Sequence, residues 1–400
     1  MPQLYLDHNA TTPIDPRVVE TMQACYAAEH ANPASLHQSG QRARSALEAA
    51  RDGLARLLGA DISGIHSDRV IFTSGGTEAN NLALLGWAGG EKGRVLVSSI
   101  EHPSVLGAAE ELARRGFDVR RLRVSSPGVV DVNHLVELLT PETRLVSVML
   151  GNHETGVLQP VAEIAAICRE RGVPLHTDAV QVVGKLAVHF RDMGVTAMSL
   201  AAHKFHGPVG VGALVLRHGA AIDPQLFGGF QQAGLRPGTE PLVLAVGMHR
   251  ALELWHDEAE ERRLRLTQLR DDFEAAIIAE LPTAVVNGRD SPRLPHTSNI
   301  SFIGLERQSL FMALDLAGVA CATGSACASG SSEPSPVLTA MGLDNARLTS
   351  AIRFSFGART TVVDVAEAVR KIVRVCQDLQ RQEKARKSAP APRPWLAKPV

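Results

Sequence analysis

The first 220 residues show apolar positions at two alternating spacings. Short runs of apolar and β-branched residues predict strands at 70–72, 94–97, 145–149, 173–176 and 212–216. Between them, apolar residues recur every three or four positions and predict helices at 77–88, 104–115, 133–139 and 161–171. Strands that alternate with helices in this way favour an α/β fold with a mostly parallel sheet covered on both faces. In such a sheet, ligands bind beyond the carboxyl ends of the strands.

The pattern changes after residue 237. Residues 238–281 predict a long helical stretch that is broken in two, with a charged segment at 257–265. Strand-like runs follow at 284–286, 298–302 and 352–356, and an amphipathic helix covers about 363–379. We therefore expect a smaller C-terminal domain with an α+β arrangement after the long helices.

Length and composition indicate how the chain divides. Four hundred residues exceed what one small core requires, so two domains are expected. We place a large domain at 15–257 and a small domain at 1–14 together with 258–380. The sequence at 381–400 is rich in Lys, Arg, Pro and Ala and cannot bury enough apolar surface to order itself, so we expect a mobile tail there.

The overall charge and the cysteines narrow the class of function. A net charge of −1, with 45% hydrophobic and 21% charged residues, gives no reason to expect nucleic acid or a membrane as a partner. The five cysteines are Cys25, Cys168, Cys321, Cys327 and Cys376. An odd number without a Cys-x-x-Cys pair favours reduced thiols in the cytoplasm over a disulfide framework or a zinc site. The N-terminal residues lack the pattern of a signal peptide, and no apolar run reaches the length of a membrane span.

A lysine and an aspartate lie at strand ends. Lys204 lies between an apolar run and a glycine-containing turn, and Asp178 ends another apolar stretch. An amine that is fixed in position and partly shielded from water is a nucleophile toward carbonyls, and a nearby carboxylate can form a hydrogen bond with a pyridinium nitrogen. The pair therefore suits pyridoxal 5'-phosphate (PLP), although a lone lysine at such a position is more often an exposed turn residue.

Two further strand ends carry groups that suit such a cofactor. Residues 73–81 join a strand to a helix through Gly75 and Gly76, so the N–H groups at the start of the helix can bind a phosphate, and Thr77 adds a hydroxyl. The alternative is an ordinary helix entry with Thr77 as its cap. His102 also follows a strand, where an imidazole can stack on a flat ring and move protons, or can simply begin a helix.

Taken in order along the chain, these pieces resemble the class-V aminotransferase-like PLP enzymes, and most closely the cysteine desulfurases of the nitrogen-fixation and iron–sulfur-cluster type. The resemblance extends from Tyr5 to about Phe356. The matching segments are 5–13, 32–37, 73–81, 101–102, 178–181, 203–204, 236–239, 325–327 and 353–355. The resemblance implies the type I fold of PLP-dependent transferases, with a mostly parallel seven-stranded sheet in the large domain and a smaller α+β C-terminal domain.

The resemblance also implies how the cofactor ring would be held. Lys204 would bind the cofactor as a Schiff base and later act as the base at the substrate Cα, and Asp178 would keep the pyridine nitrogen protonated. Gln181 and residue 153 would hydrogen-bond the phenolic oxygen of the ring, and His102 would lie over its face. The family commonly has asparagine where this chain has His153, so the protonation of this imidazole would couple to that of the bound cofactor.

The phosphate group has its own set of implied contacts. Gly76, Thr77 and His203 would bind it, and Thr239 would reach it from a neighbouring subunit, which implies a homodimer. A serine that usually binds the phosphate in the family is Ala201 here. The loss of one hydrogen bond to a charged group costs roughly 1.5–3 kcal/mol, or about one to two decades of affinity.

The substrate side of the site is implied in the same way. Arg353 would hold the substrate carboxylate, and Asn32 lies in a motif that lines the substrate site. Cys327 lies in a run of small polar residues at 322–335 that has no apolar periodicity and is typical of a flexible loop. From such a loop its thiol would take the sulfur of PLP-bound cysteine as a persulfide. Cys321 ends an apolar stretch and is interpreted as a packing residue, although its position would also allow a secondary role in carrying sulfur.

The sequence therefore predicts a PLP-dependent cysteine desulfurase that converts L-cysteine to L-alanine, with Cys327, Lys204 and His102 as its catalytic residues. The sulfur would pass to an acceptor protein of iron–sulfur cluster assembly or of tRNA thiolation. One alternative is a selenocysteine lyase or another class-V aminotransferase or lyase. A second alternative is an inactive binding partner that has kept the fold, with His153 and Ala201 as signs of drift.

Overall fold

The computed structural model of the protein describes residues 3–29, 31–87, 92–324 and 334–388. Its strands are β1 (Leu4–Tyr5), β2 (Arg69–Thr73), β3 (Arg94–Ser98), β4 (Asp118–Leu122), β5 (Thr143–Ser147), β6 (Leu175–Asp178), β7 (Ala197–Ala201), β8 (Gly212–Leu216), β9 (Ala284–Val286), β10 (Thr297–Phe302), β11 (Val319–Ala320) and β12 (Ala351–Ser355). Its α-helices are α1 (Pro16–Ala27), α2 (Gln38–Leu57), α3 (Gly76–Gly86), α4 (Pro103–Arg114), α5 (Val132–Leu138), α6 (Val161–Glu170), α7 (Phe190–Met193), α8 (Leu242–Asp257), α9 (Ala259–Glu280), α10 (Arg307–Leu316), α11 (Pro336–Ala340), α12 (Asn345–Leu348) and α13 (Val362–Ser388).

The large sheet confirms the predicted α/β architecture. Its seven strands lie in the order β2-β8-β7-β6-β5-β3-β4, and only the pairs that include β8 are antiparallel. The strands β2, β3, β6 and β7 consequently run in one direction and end at one edge of the sheet. The segments that follow β2, β3 and β7 carry residues 74–77, His102 and Lys204, and Asp178 ends β6, so these groups are brought to the same edge.

A second core lies outside this sheet. The strands β12, β10 and β9 form an antiparallel sheet, and β1 pairs in parallel with β11. Leu6, which follows β1, is buried in the same apolar cluster as Phe273, Phe354 and Phe356. The N-terminal residues therefore pack with the C-terminal part of the chain.

The last helix is longer than expected. Helix α13 continues to Ser388, past the predicted helix end at Leu379, so residues 381–388 are helical. The residues concerned are mainly Arg, Gln, Glu, Lys and Ala, which favour helices even when they bury little apolar surface. Arg381 also forms an ion pair with Asp378, one turn earlier. No helix in the described ranges is long and apolar enough to cross a bilayer.

His206 joins the N-terminal segment to the turn that carries Lys204. Its Nδ1 lies 2.8 Å from the carbonyl oxygen of Pro13, and its Nε2 lies 3.3 Å from the backbone N of Ala358, which donates to it. The neutral imidazole satisfies both contacts, with the proton on Nδ1. Burial lowers its pKa to about 4 from an ordinary 6.5.

We predict that His206→Asn makes the free energy of unfolding less sensitive to acid. Because the folded pKa is below the unfolded one, this group's contribution is fully present above pH 6.5 and is lost as the pH falls through 4. The shift corresponds to about 3 kcal/mol. Asparagine tolerates the left-handed backbone of this position, where φ is 67°. Urea titrations between pH 7 and pH 4 measure the difference. His256→Asn, at an exposed helical histidine, is the control, and equal pH slopes for both variants would contradict the prediction.

Candidate active site

A cavity of about 250 Å³ lies at the edge of the large sheet where the strands end. Nine of the predicted site residues line it: Gly76, Thr77, His102, His153, Asp178, Gln181, His203, Lys204 and Arg353. They come from segments that are far apart in the sequence, and the parallel strands bring them together.

Lys204 ends a short 3-10 helix, Ala202–Lys204, directly after β7. Its Nζ donates to the carbonyl oxygens of Asn9 and Ala10, at 2.6 and 2.8 Å. The backbone of His203 accepts hydrogen bonds from the N–H and the hydroxyl of Thr12. The N-terminal segment thus crosses from the second core to the lysine and holds both its amine and the backbone of the residue before it.

Asp178 is the last residue of β6 and is buried. One of its carboxylate oxygens accepts from the backbone N of Val180 at 3.0 Å, and the other accepts from Nδ2 of Asn80 at 2.7 Å. Each oxygen keeps a further lone pair, so the carboxylate can still accept from a ligand in the cavity. Two fixed donors make its orientation independent of that ligand.

His102 is the N-cap of α4, so it does begin a helix, and its side chain also lines the cavity. Its Nδ1 accepts from the backbone N of Ser104 at 3.1 Å, so the neutral ring carries its proton on Nε2. Burial lowers its pKa, an effect that Asp178 opposes and Lys204 reinforces. The ring therefore stays neutral at ordinary pH and keeps an N–H for hydrogen bonding.

The start of α3 is built to accept an anion. Its N-cap is Gly75, and no side chain of the described residues caps the helix, which excludes Thr77 as the cap. A Cβ on Gly76 would lie 2.8 Å from Val180 Cγ2, so this close packing requires glycine. Ala201 lines the same end of the cavity, where it adds no hydroxyl. The backbone N–H groups at residues 76–78 are thus the main donors at this point.

His203 also lines this end of the cavity. Its Nδ1 lies 3.1 Å from the hydroxyl oxygen of Thr11. Burial, together with the charges of Lys204 and Lys185, lowers its pKa to about 4. At neutral pH it is therefore an uncharged hydrogen-bonding group and not a cation.

Gln181 and His153 hold buried polar atoms without hydrogen-bond partners in the described parts of the chain. These atoms are Gln181 Oε1 and His153 Nδ1. The Nε2 of Gln181 donates to the carbonyl oxygen of Asn9 at 3.1 Å. His153 packs edge-on against His102, with ring centroids 5.4 Å apart, and burial holds its pKa well below the usual range. A polar ligand in the cavity would complete these groups.

Arg353 lies on β12 and is 1% exposed. Its two terminal nitrogens donate to Asp7 Oδ1 at 2.6 Å and to the carbonyl oxygen of His153 at 2.9 Å. The guanidinium group is therefore held in a fixed orientation at the wall of the cavity. Such a group suits a carboxylate ligand, because its planar donors match two oxygens.

Three predicted site residues are not brought to this cavity. Asn32 and Thr239 line a separate recess beside α1 and the start of α8. Cys327 lies outside the described residues. The four described cysteines have free thiols whose pKa is raised by burial, so they are poor nucleophiles: Cys25, Cys168, Cys321 and Cys376. This state of Cys321 agrees with its interpretation as a packing residue.

Asn80 was not singled out from the sequence, yet it connects the two sides of the site. Its Nδ2 donates both to Asp178 and to the hydroxyl of Ser104, which lies 2.8 Å from Nδ1 of His102. Asn80 is 1% exposed on an otherwise apolar face of α3. A buried amide at such a position needs partners, and this is the signal that could have identified it.

Comparison with known proteins gives one family over almost the whole chain. A family model for aminotransferase class-V matches residues 4–367. The cysteine desulfurase IscS of Dictyoglomus turgidum is 40% identical over 381 residues, which cover 94% of this chain and 95% of that protein. The cysteine desulfurase NifS of Azotobacter vinelandii is 38% identical over 382 residues, which cover 95% and 94%.

Solved structures agree with this result. A NifS-like protein from Rickettsia africae has a TM-score of 0.85 at 31% identity, and the match covers 94% of this chain and 99% of that one. The structure of SspA in complex with cysteine has a TM-score of 0.77 at 34% identity, with coverage of 89% and 99%.

Proposed function

Because the chain belongs to the class-V aminotransferase family, we propose that it acts as a cysteine desulfurase, which converts L-cysteine to L-alanine with PLP as its cofactor. The observation that carries this proposal is that Lys204 and Asp178 face one cavity, whose far end is the uncapped start of α3. An amine, a carboxylate and a set of N–H donors are what the aldehyde, the ring nitrogen and the phosphate of PLP require.

The residues present fit PLP. Lys204 would bind its carbonyl carbon, and Asp178 would hold the ring nitrogen. Gln181 Oε1 and His153 Nδ1 are buried atoms that have no hydrogen-bond partner among the described residues, and the bound cofactor would supply one. Residues 76–77 and His203 would hold the phosphate. When bound, PLP supplies a carbonyl that reacts with amines and a conjugated ring that accepts the electron pair left at Cα.

The described residues would then orient the substrate and move its protons. Arg353 would bind the substrate carboxylate, and the ion pair with Asp7 keeps the guanidinium group in place for it. Lys204 would take the proton from Cα, and Lys204 and His102 would return protons as alanine forms. Both residues line the cavity.

Cys327 would accept the sulfur. Its thiolate would attack the substrate sulfur, so that an S–S bond forms while the bond between Cβ and sulfur breaks and the carbon takes a proton. The products are alanine and a persulfide on Cys327, which an acceptor protein of iron–sulfur cluster assembly or tRNA thiolation would consume. The four described thiols are disfavoured because burial raises the pKa of each. These reduced thiols also support a cytoplasmic setting.

The partner in the dimer would be a second copy of this chain. Thr239 and Asn32 lie in their own recess, away from the cavity that holds Lys204, as is expected of residues that serve a neighbouring subunit. The nearby Phe227 and Phe230 are 86% and 85% exposed, and aromatic rings so exposed favour an interface. A homodimer would therefore complete two sites.

Product analysis tests the proposed function. After incubation with L-cysteine, the protein should release alanine and carry a persulfide on Cys327. Because the tryptic peptide 308–347 contains both Cys321 and Cys327, fragment spectra of that peptide assign the persulfide to one of the two. Turnover of selenocysteine but not cysteine would favour a selenocysteine lyase, and turnover of amino-donor and keto-acid pairs would favour an aminotransferase. A colourless protein that borohydride cannot fix to PLP would favour an inactive binding partner.

We predict that Ala201→Ser tightens PLP binding. Ala201 lies at the phosphate end of the cavity, where a Cβ on Gly76 would be 3.6 Å from its own Cβ. A hydroxyl there would add one hydrogen bond to a charged group, which is about one to two decades of affinity. Titration of the apoprotein with PLP, followed by absorbance, measures the dissociation constant. Ala113→Ser, on the exposed face of α4, should leave the constant unchanged, and an equal constant for both variants would contradict the prediction.

A further inference from the structure

The segment 231–240, which ends at Thr239 and Glu240, is clamped to the edge of the large sheet. The amide of Gln232 accepts from the backbone N of Phe72 at 2.7 Å and donates to the carbonyl oxygen of Phe72 at 2.9 Å. Its side chain thereby pairs with β2 as a neighbouring strand would. Gln232 and Ala233 both have left-handed backbones, with φ of 51° and 58°, which is uncommon for residues other than glycine. The surrounding contacts must therefore hold this turn in place.

Arg51 ties both ends of the segment together. Its terminal nitrogens donate to Gln232 Oε1 at 3.1 Å and to Glu240 Oε1 at 2.6 Å. Its guanidinium group also lies over the ring of Phe72, 4.7 Å from the centroid. Thr239 consequently has a fixed place relative to its own subunit's sheet.

Glu78 connects this segment to the anion-binding end of the cavity. It lies in the first turn of α3, where its carboxylate accepts from the backbone N of Ser74 at 2.7 Å. The same carboxylate accepts from Arg236 Nε at 2.8 Å and Nη2 at 3.3 Å. Burial alone would raise the pKa of Glu78, but the hydrogen bonds from Arg236 and Ser74 bring it below the usual range. One ionised group thus holds residue 74 and the segment that carries Thr239.

We propose that the Glu78–Arg236 ion pair is a positioning link between the two cofactor sites of the dimer. Through Ser74 it holds the N–H groups that bind the phosphate in its own subunit, and through Arg236 it directs Thr239 to the phosphate in the partner. The link rests on the proposed function, because it requires PLP, the homodimer and the contribution of Thr239.

Loss of Arg236 would have two separate effects. Without Arg236, the charge of Glu78 lies unbalanced one residue from Thr77, which weakens phosphate binding in the same subunit. The segment 231–240 also loses one of its anchors, which weakens the contact of Thr239 in the other subunit. A residue that merely stabilises its own subunit would produce only the first effect.

Mixed dimers separate these effects. One subunit carries Lys204→Ala and a tag, so borohydride can fix PLP only at the other subunit's lysine. The measurement is the PLP concentration that gives half-maximal fixation, which reports binding and not turnover. Arg236→Gln is placed either on the subunit that keeps Lys204 or on the tagged subunit. We expect this concentration to rise at least about tenfold in both arrangements.

Matched variants make every outcome informative. Thr239→Val on the tagged subunit is the reference for the contact across the interface, and Arg250→Gln, which breaks a half-buried ion pair with Glu253 on α8, is the control. A shift with Thr239→Val but none with Arg236→Gln across the interface would overturn the link and leave the proposed dimer intact. No shift with Thr239→Val, or a monomer in solution, would instead overturn the shared site, and the link with it. If Arg236→Gln does not fold, Arg236→Lys takes its place. Lysine keeps the charge but not the paired donors, so an intermediate shift is expected.

Discussion

Replacing Cys327 with serine is expected to stop the release of alanine from L-cysteine while borohydride fixation of PLP stays normal. A serine hydroxyl is not ionised near neutral pH and cannot attack the substrate sulfur, whereas a thiolate can. Loss of the nucleophile in a covalent mechanism lowers turnover by about three orders of magnitude or more. Alanine is measured by chromatography over a time course, and the persulfide is assigned to Cys327 or Cys321 from fragment spectra of the tryptic peptide 308–347 that contains both.

The other cysteines provide the control for this result. Cys25→Ser, at the half-buried thiol on α1, should behave as the unchanged protein does. Normal alanine release by Cys327→Ser would show that another group accepts the sulfur. In that case Cys321 would be the next residue to test, even though burial raises its pKa.

Replacing Lys204 with alanine should remove borohydride fixation and lower turnover by about two to four orders of magnitude. The expectation follows from its position: Nζ lies in the cavity, held by the carbonyl oxygens of Asn9 and Ala10. Mass spectrometry of the reduced protein shows whether a PLP adduct is present and on which peptide.

Lys92→Ala, at an exposed lysine before β3, should keep both the adduct and the turnover. An adduct on any peptide other than the one that contains Lys204 would contradict the assignment of the lysine. A normal adduct with no turnover on any amino acid would instead favour the inactive binding partner.

Several features of the site could be predicted because they depend on neighbours in the sequence. A strand that ends in a short polar segment places its next side chain at the edge of a parallel sheet, and this applied to Asp178, His102 and Lys204. Gly75 and Gly76 predicted a tight turn before a helix, and the close packing of Gly76 against Val180 requires a glycine at position 76. The helix that ends at Ser388 shows the opposite case, since a composition that buries little apolar surface still formed helical turns.

Contacts between distant residues could not be predicted in this way. Asn80 reaches Asp178 across 98 positions, and Arg236 reaches Glu78 across 158. The chain contains many other polar and charged side chains that could form such a hydrogen bond or ion pair. Only the packing of α3 against the sheet determines which partner is used. The same packing leaves Thr239 and Asn32 in a recess of their own.

Local sequence was thus sufficient for the class of fold, the strand ends and the kind of chemistry at each end, because periodicity, glycine turns and residue type act over a few positions. Only the tertiary structure decided which groups form hydrogen bonds or ion pairs with each other and which pKa values are shifted. It lowered the pKa of His102 and His153, locked Asp178 between two donors, and bound Arg353 to Asp7. Burial and the approach of distant charges cause these effects, and both arise when the two cores close around the cavity.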